Sequence, residues 1–96
     1  MEKCTFKVIA DSLRIGHEIE FSYKGKLYGI VNSRDGYWYF CCNEGDFPGA
    51  ACLYSEELCL FEDEEALIER VSEIRVDSIP IPAIFDEGKY EDYCIL

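Results

Sequence analysis

A chain of 96 residues is one domain, and 49% apolar residues with six Phe, seven Tyr and one Trp can fill a dense core; this is not the composition of a disordered segment. A net charge of −11 argues against direct nucleic-acid binding, whose affinity comes from Lys and Arg neutralising phosphates, and against docking on an anionic membrane. No stretch approaches the ~20 consecutive apolar residues of a membrane span, and charges at Glu2, Lys3, Lys7 and Asp11 interrupt any signal peptide, so a cytoplasmic protein is expected.

In chain order, "TFKVIADSLRIG" places Phe6, Ile9, Ala10 and Leu13 at helical spacing, with Thr5 as N-cap and Gly16 as stop. A helix over about 5–14 follows. In "EIEFSYKGKLYGIV", Ile19, Phe21 and Tyr23 alternate with polar residues, which predicts a hairpin. A two-residue turn at Lys24-Gly25 sets Phe21 opposite Tyr28 and Ile19 opposite Ile30, so both strands bury the same face.

"NSRDG" then turns the chain into "YWYFCC", residues 37–42. A three-residue loop over Arg34–Gly36, with Gly36 left-handed, buries Trp38, Phe40 and Cys42. A two-residue turn at Asp35-Gly36 shifts the strand by one and buries Tyr37, Tyr39 and Cys41 instead. Phe and Trp suit a dry core better than two tyrosines whose hydroxyls need partners, which favours the longer loop.

"NEGDFPGAA" (43–51) reads as a loop. "CLYSEELCLF" (52–61) fits a fourth strand or an approach to the next helix. "DEEALIERVSEI" predicts a helix over about 63–74, capped by Asp63 and buried through Leu67, Ile68, Val71 and Ile74. Pro80 and Pro82 forbid a helix interior or a central strand but can open a short last helix. The stretch 86–96 is expected as a mobile acidic tail or a last edge strand. The fold class expected is α+β: an N-terminal helix, an antiparallel meander of three to four strands, and an acidic helix packed on one sheet face.

The charge is unevenly distributed. Residues 1–42 hold six Lys/Arg and five Asp/Glu, whereas 43–96 hold three Lys/Arg and fifteen Asp/Glu, so the C-terminal part carries −12. Such a field steers toward a basic protein surface. Helix-dipole stabilisation accounts for Asp63, Glu64 and Glu65 in the first turn. It does not account for Glu65, Glu69 and Glu73, a like-charged i, i+4 ladder that costs an isolated helix ~0.2–0.5 kcal/mol per pair. Only Arg70 stands near enough to Glu73 to relieve it. Carboxylates one turn apart lie ~5.4–6 Å apart, sparser than the ~3.4 Å phosphate repeat of one DNA strand, unless Glu56, Glu57 and Glu62 add to them. In the tail, Asp86, Glu87, Glu91 and Asp92 alternate with Phe85, Tyr90 and Tyr93, a mixture that suits a protein interface.

Six cysteines, at 4, 41, 42, 52, 59 and 94, show no C-x-x-C spacing, and His17 is the one histidine. Neighbours Cys41 and Cys42 point to opposite faces of a strand, so no structural zinc site, other metal or cofactor is expected. No phosphate-binding glycine loop, nucleophile elbow or recognisable acid pair supports catalysis.

The stretch "GHEIEFSYKGKLYGI" with its Gly16, Glu18, Phe21, Tyr23, Gly25, Lys26 and Tyr28, followed after the meander by "EEALIERV", resembles small acidic orphan proteins of low-GC Gram-positive bacteria and their phages. The resemblance implies a β-hairpin and no catalytic residue. In size and acidity the chain is also similar to phage-encoded anti-CRISPR inhibitors, several of which imitate nucleic acid. The leading expectation is a non-enzymatic interaction domain that docks on a basic protein surface, in its sharpest form an inhibitor mimicking nucleic acid. Glu65, Glu69, Glu73, Asp86, Glu87, Tyr90, Glu91, Asp92 and Tyr93 are its candidate contact residues. The alternatives are an orphan structural or homo-oligomeric domain, with a homodimer as the simplest case, and a cysteine-dependent metal or redox protein.

Overall fold

The computed structural model describes residues 4–44 and 51–96, the side chains of 51 and 52 apart. Helix α1 (Phe6–Arg14) buries Ile9, Ala10 and Leu13. It ends in a Schellman motif: Gly16, at φ +91°, donates to Leu13 O (3.0 Å), and His17 donates to Ser12 O (3.0 Å). Its start corrects the expectation for Thr5, whose side chain makes no capping bond. The acceptor is Asp86 Oδ1, 2.8 Å from the Phe6 nitrogen.

Strands β1 (Ile19–Tyr23) and β2 (Lys26–Asn32) meet in the expected register, Ile19 opposite Ile30 and Phe21 opposite Tyr28. Lys24 and Gly25, at φ 49° and 79°, supply the two left-handed residues of a type I′ turn. Strand β3 (Tyr37–Glu44) follows the three-residue loop, with Gly36 at φ +89° and Phe40 opposite Ile30. Trp38, Phe40 and Cys42 are buried.

Strand β4 (Ala51–Leu60) settles the ambiguous segment. The loop expected over 43–51 is shortened at both ends, and 45–50 lie outside the described residues. Helix α2 (Glu64–Glu73) is capped by Asp63, whose side chain accepts from the Ala66 nitrogen at 3.3 Å. Two-residue strands β5 (Arg75–Val76) and β6 (Ile79–Pro80) form a small hairpin, and Pro80, which ends the second, is the N-cap residue of helix α3 (Ile81–Asp86).

The main sheet has five strands, one more than expected, in the order β4-β3-β2-β1-β7. Its fifth strand is β7 (Asp92–Ile95), which comes from the supposed tail and pairs antiparallel with β1. Helices α1, α2 and α3 contribute to one core on one face of the sheet, through Ile9 and Leu13, Leu67 and Val71, and Ile84 and Phe85. An aromatic row crosses that face: Phe85 against Phe21 (5.2 Å), Phe21 on Tyr28 (5.4 Å), Tyr28 on Phe40 (5.8 Å) and Phe40 beside Tyr54 (6.2 Å). Burial of the Tyr28 phenol, with Cys42 beside it, pushes its pKa up to about 12.

Candidate functional site

Helix α2 turns Leu67 and Val71 fully inward and packs Ile68 and Ile74 at the edge of the core. The opposite side presents Glu65, Glu69 and Glu73, all exposed. None of the three is in an ion pair with a described residue. The relief expected from Arg70 goes elsewhere: its guanidinium turns to β4, 3.4 Å from Glu56 Oε1 and 3.4 Å from the Glu57 carbonyl. Glu56 is therefore partnered, and Glu57, opposite Tyr39, belongs to the other face of the sheet. These two do not thicken the ladder.

The second acidic group is built differently. Asp86 accepts from the first helical nitrogen of α1. Glu91 Oε1 accepts from the Gly25 nitrogen at 3.0 Å and holds the β1–β2 turn. Asp92 Oδ1 accepts from the Tyr93 nitrogen (2.8 Å), and Glu87 lies 3.8 Å from Lys89 Nζ. The Tyr90 hydroxyl accepts from the Cys4 nitrogen at 2.9 Å while its ring lies 5.2 Å from that of Phe85. Tyr93 packs edge-on against Tyr90 at 5.5 Å. Asp92 also borders a groove of about 460 Å³ on the helix-free face, with Glu20, Leu27 and Cys94.

Glu91 and Asp92, at the β7 end of the second group, do not share a surface with the ladder. Helix α2 packs on β4, whereas β7 is the opposite edge strand. Four inter-strand steps of ~4.8 Å separate those edges by ~19 Å.

The helix-free face carries Tyr37, Tyr39 and Cys41, all half-buried. The Tyr39 hydroxyl donates to Asp35, and that bond to a carboxylate pushes its pKa up to about 12. Burial raises the Cys4 and Cys59 thiols above their ordinary value, which keeps them protonated at neutral pH and weakens them as nucleophiles. Among the described residues, no three His, Cys, Asp or Glu side chains gather where they could hold a metal ion. His17 is exposed, with Nδ1 2.8 Å from Leu96 O.

Two residues outside the expected set stand out. Ile15 is 74% exposed and Phe61 46% exposed. Both flank an expected helix boundary, and an apolar residue just beyond a helix end is the only sign of them in the sequence. No protein-family model matches the chain, and no curated protein or solved structure matches it.

Proposed function

We propose that this chain is a non-enzymatic interaction domain that docks the acidic face of α2 on a basic protein surface. The observation that supports it is the ladder itself: Glu65, Glu69 and Glu73 are exposed and in no ion pair with a described residue, and Arg70, the cation within the same helix, turns to Glu56 instead. Like charges at i, i+4 oppose the helix; the helix dipole offsets this for Glu65 in the first turn, but no ion pair with a described residue offsets it for Glu69 and Glu73. Lys or Arg side chains of a partner would.

In its sharpest form the partner is a nucleic-acid-binding protein and the ladder stands where phosphates would lie. Glu65 to Glu73 covers eight residue steps, ~12 Å of helix, and three carboxylates over that length suit a short basic patch rather than a long duplex groove. The proposed setting is the cytoplasm, where free thiols stay reduced.

The test takes a complex recovered from the native host. Reversing Glu65, Glu69 and Glu73 to Lys is expected to abolish binding with the circular dichroism spectrum unchanged, and affinity should fall steeply with salt. Competition by a single-stranded oligonucleotide separates mimicry from docking elsewhere on the partner. Undiminished binding by the reversed variant sinks the proposal.

A further inference from the structure

Between the end of α1 and the start of α2 lies a groove of about 460 Å³, bordered by Leu13, Ile15, Trp38, Phe61, Glu62 and Glu64 among others. Its apolar walls are held in place rather than loosely exposed. The Phe61 ring stacks on Trp38, centroids 5.5 Å apart and planes at 14°. Both backbone groups of Phe61 are tied: its nitrogen donates to Gly36 O (2.8 Å) and its carbonyl accepts from Trp38 Nε1 (3.2 Å). Ile15 sits at the C-cap of α1, between the residues that make the Schellman bonds. Gly16 leaves room beside the aromatic ring, where an added Cβ would come 3.8 Å from Phe61 Cζ.

The rim is acidic. Glu62 and Glu64 are in no ion pair with a described residue, while Arg14, the cation on that rim, is paired with Asp11 at 3.0 Å. Glu65, the first rung of the ladder, follows directly. An anchored aromatic wall beside unpaired carboxylates, in a groove of mixed polar and apolar lining, has the anatomy of an interface centre and its charged rim.

Resting on the reading of α2 as a docking face, we propose that this groove takes an apolar side chain from a Lys- or Arg-bearing segment of the partner protein docked on α2. A second copy of this chain is disfavoured, because an isologous contact would set Glu62, Glu64 and Glu65 against their own copies.

The probes are two synthetic peptides of equal Lys content, one carrying Leu anchors and one with Ser in their place. Binding is followed by NMR and by the emission of Trp38, the only tryptophan. The Leu peptide is expected to bind about tenfold or more tighter and to shift the Trp38 emission. Ile15→Gln, at a position exposed enough to leave the fold alone, should shrink that preference several-fold, and Phe61→Ser should remove it. Equal affinity for the two peptides, both weakened by the Lys reversal of the ladder, overturns the groove and leaves α2 docking standing. A Leu preference sensitive to Ile15→Gln but untouched by the reversal supports the groove and overturns the charge reading. Binding of neither peptide overturns both.

Discussion

The chain has two acidic runs that look alike in sequence and are used in opposite ways. In the C-terminal run, Asp86, Glu91 and Asp92 each accept from a backbone nitrogen, and Tyr90 pins the segment to Cys4. In α2, Glu65, Glu69 and Glu73 face outward and are in no ion pair with a described residue. An acid that satisfies a backbone donor works for the fold, whereas an acid held beside its own kind is left for something outside it. Density of charge along a chain does not distinguish the two; the whereabouts of donors does.

That contrast can be broken at several points. The largest effect is expected from Phe85→Ala, since the ring is fully buried between Phe21 and Tyr90 and anchors the acidic segment. It should cost about 3–5 kcal/mol in urea unfolding; a loss under 1 kcal/mol would mean the segment is held by other contacts. Asp86→Ala should cost about 1 kcal/mol through the lost helix cap, and Asp86→Asn, which keeps an acceptor, clearly less. Equal melting of the two variants with the wild type would return Asp86 to the surface acids.

The ladder predicts the opposite sign. Glu69→Gln and Glu73→Gln together, which keep Glu65 in its favourable place in the first turn, should leave stability unchanged or raise it, by ~0.2–0.5 kcal/mol for each repulsive pair removed. A destabilised double variant would show that these carboxylates serve the fold and would erase the difference between the runs.

A further effect, read as a titration, concerns Asp35, whose carboxylate accepts from the Tyr37 nitrogen at 3.0 Å and from the Tyr39 hydroxyl. With Tyr39 pushed up to about 12 from the ordinary phenol value near 10, the folded state keeps a proton that the unfolded chain releases. The stabilisation is complete below pH ~10 and is lost as pH rises through about 12. Asp35→Ala should bring the Tyr39 phenolate transition down toward 10 and leave Tyr28, raised by burial, near 12; an unmoved Tyr39 transition would assign its shift to burial instead.

Much of the fold was readable where the deciding interactions are local. Lys24-Gly25 and Gly36 each set a strand register because a turn dictates which residues pair within a few positions. Helix α2 was legible from Asp63 and the spacing of Leu67 and Val71, and α3 from its prolines. Strand β4 was not, because irregularities opposite Trp38/Tyr39 and Cys42/Asn43 break its alternation, leaving Leu58 buried out of phase. Strand β7 is four residues with only Ile95 half-buried, so its apolar pattern is too short to declare itself. The candidate contact residues were legible as acids and tyrosines but not as two groups, since only the strand order places β4 and β7 at opposite edges.

By itself the amino-acid sequence determined the α+β class, the hairpin registers, the inward set Trp38, Phe40 and Cys42, and the like-charged spacing of the ladder. Each follows from periodicity or turn geometry within about ten residues. Tertiary structure alone decided that Asp86 caps a helix starting 80 residues earlier, that Arg70 chooses Glu56 over Glu73, and that Phe61 lies on Trp38 beside Ile15. Those outcomes depend on which distant donors, charges and rings the packed core brings within a few ångströms, and no local rule carries that information.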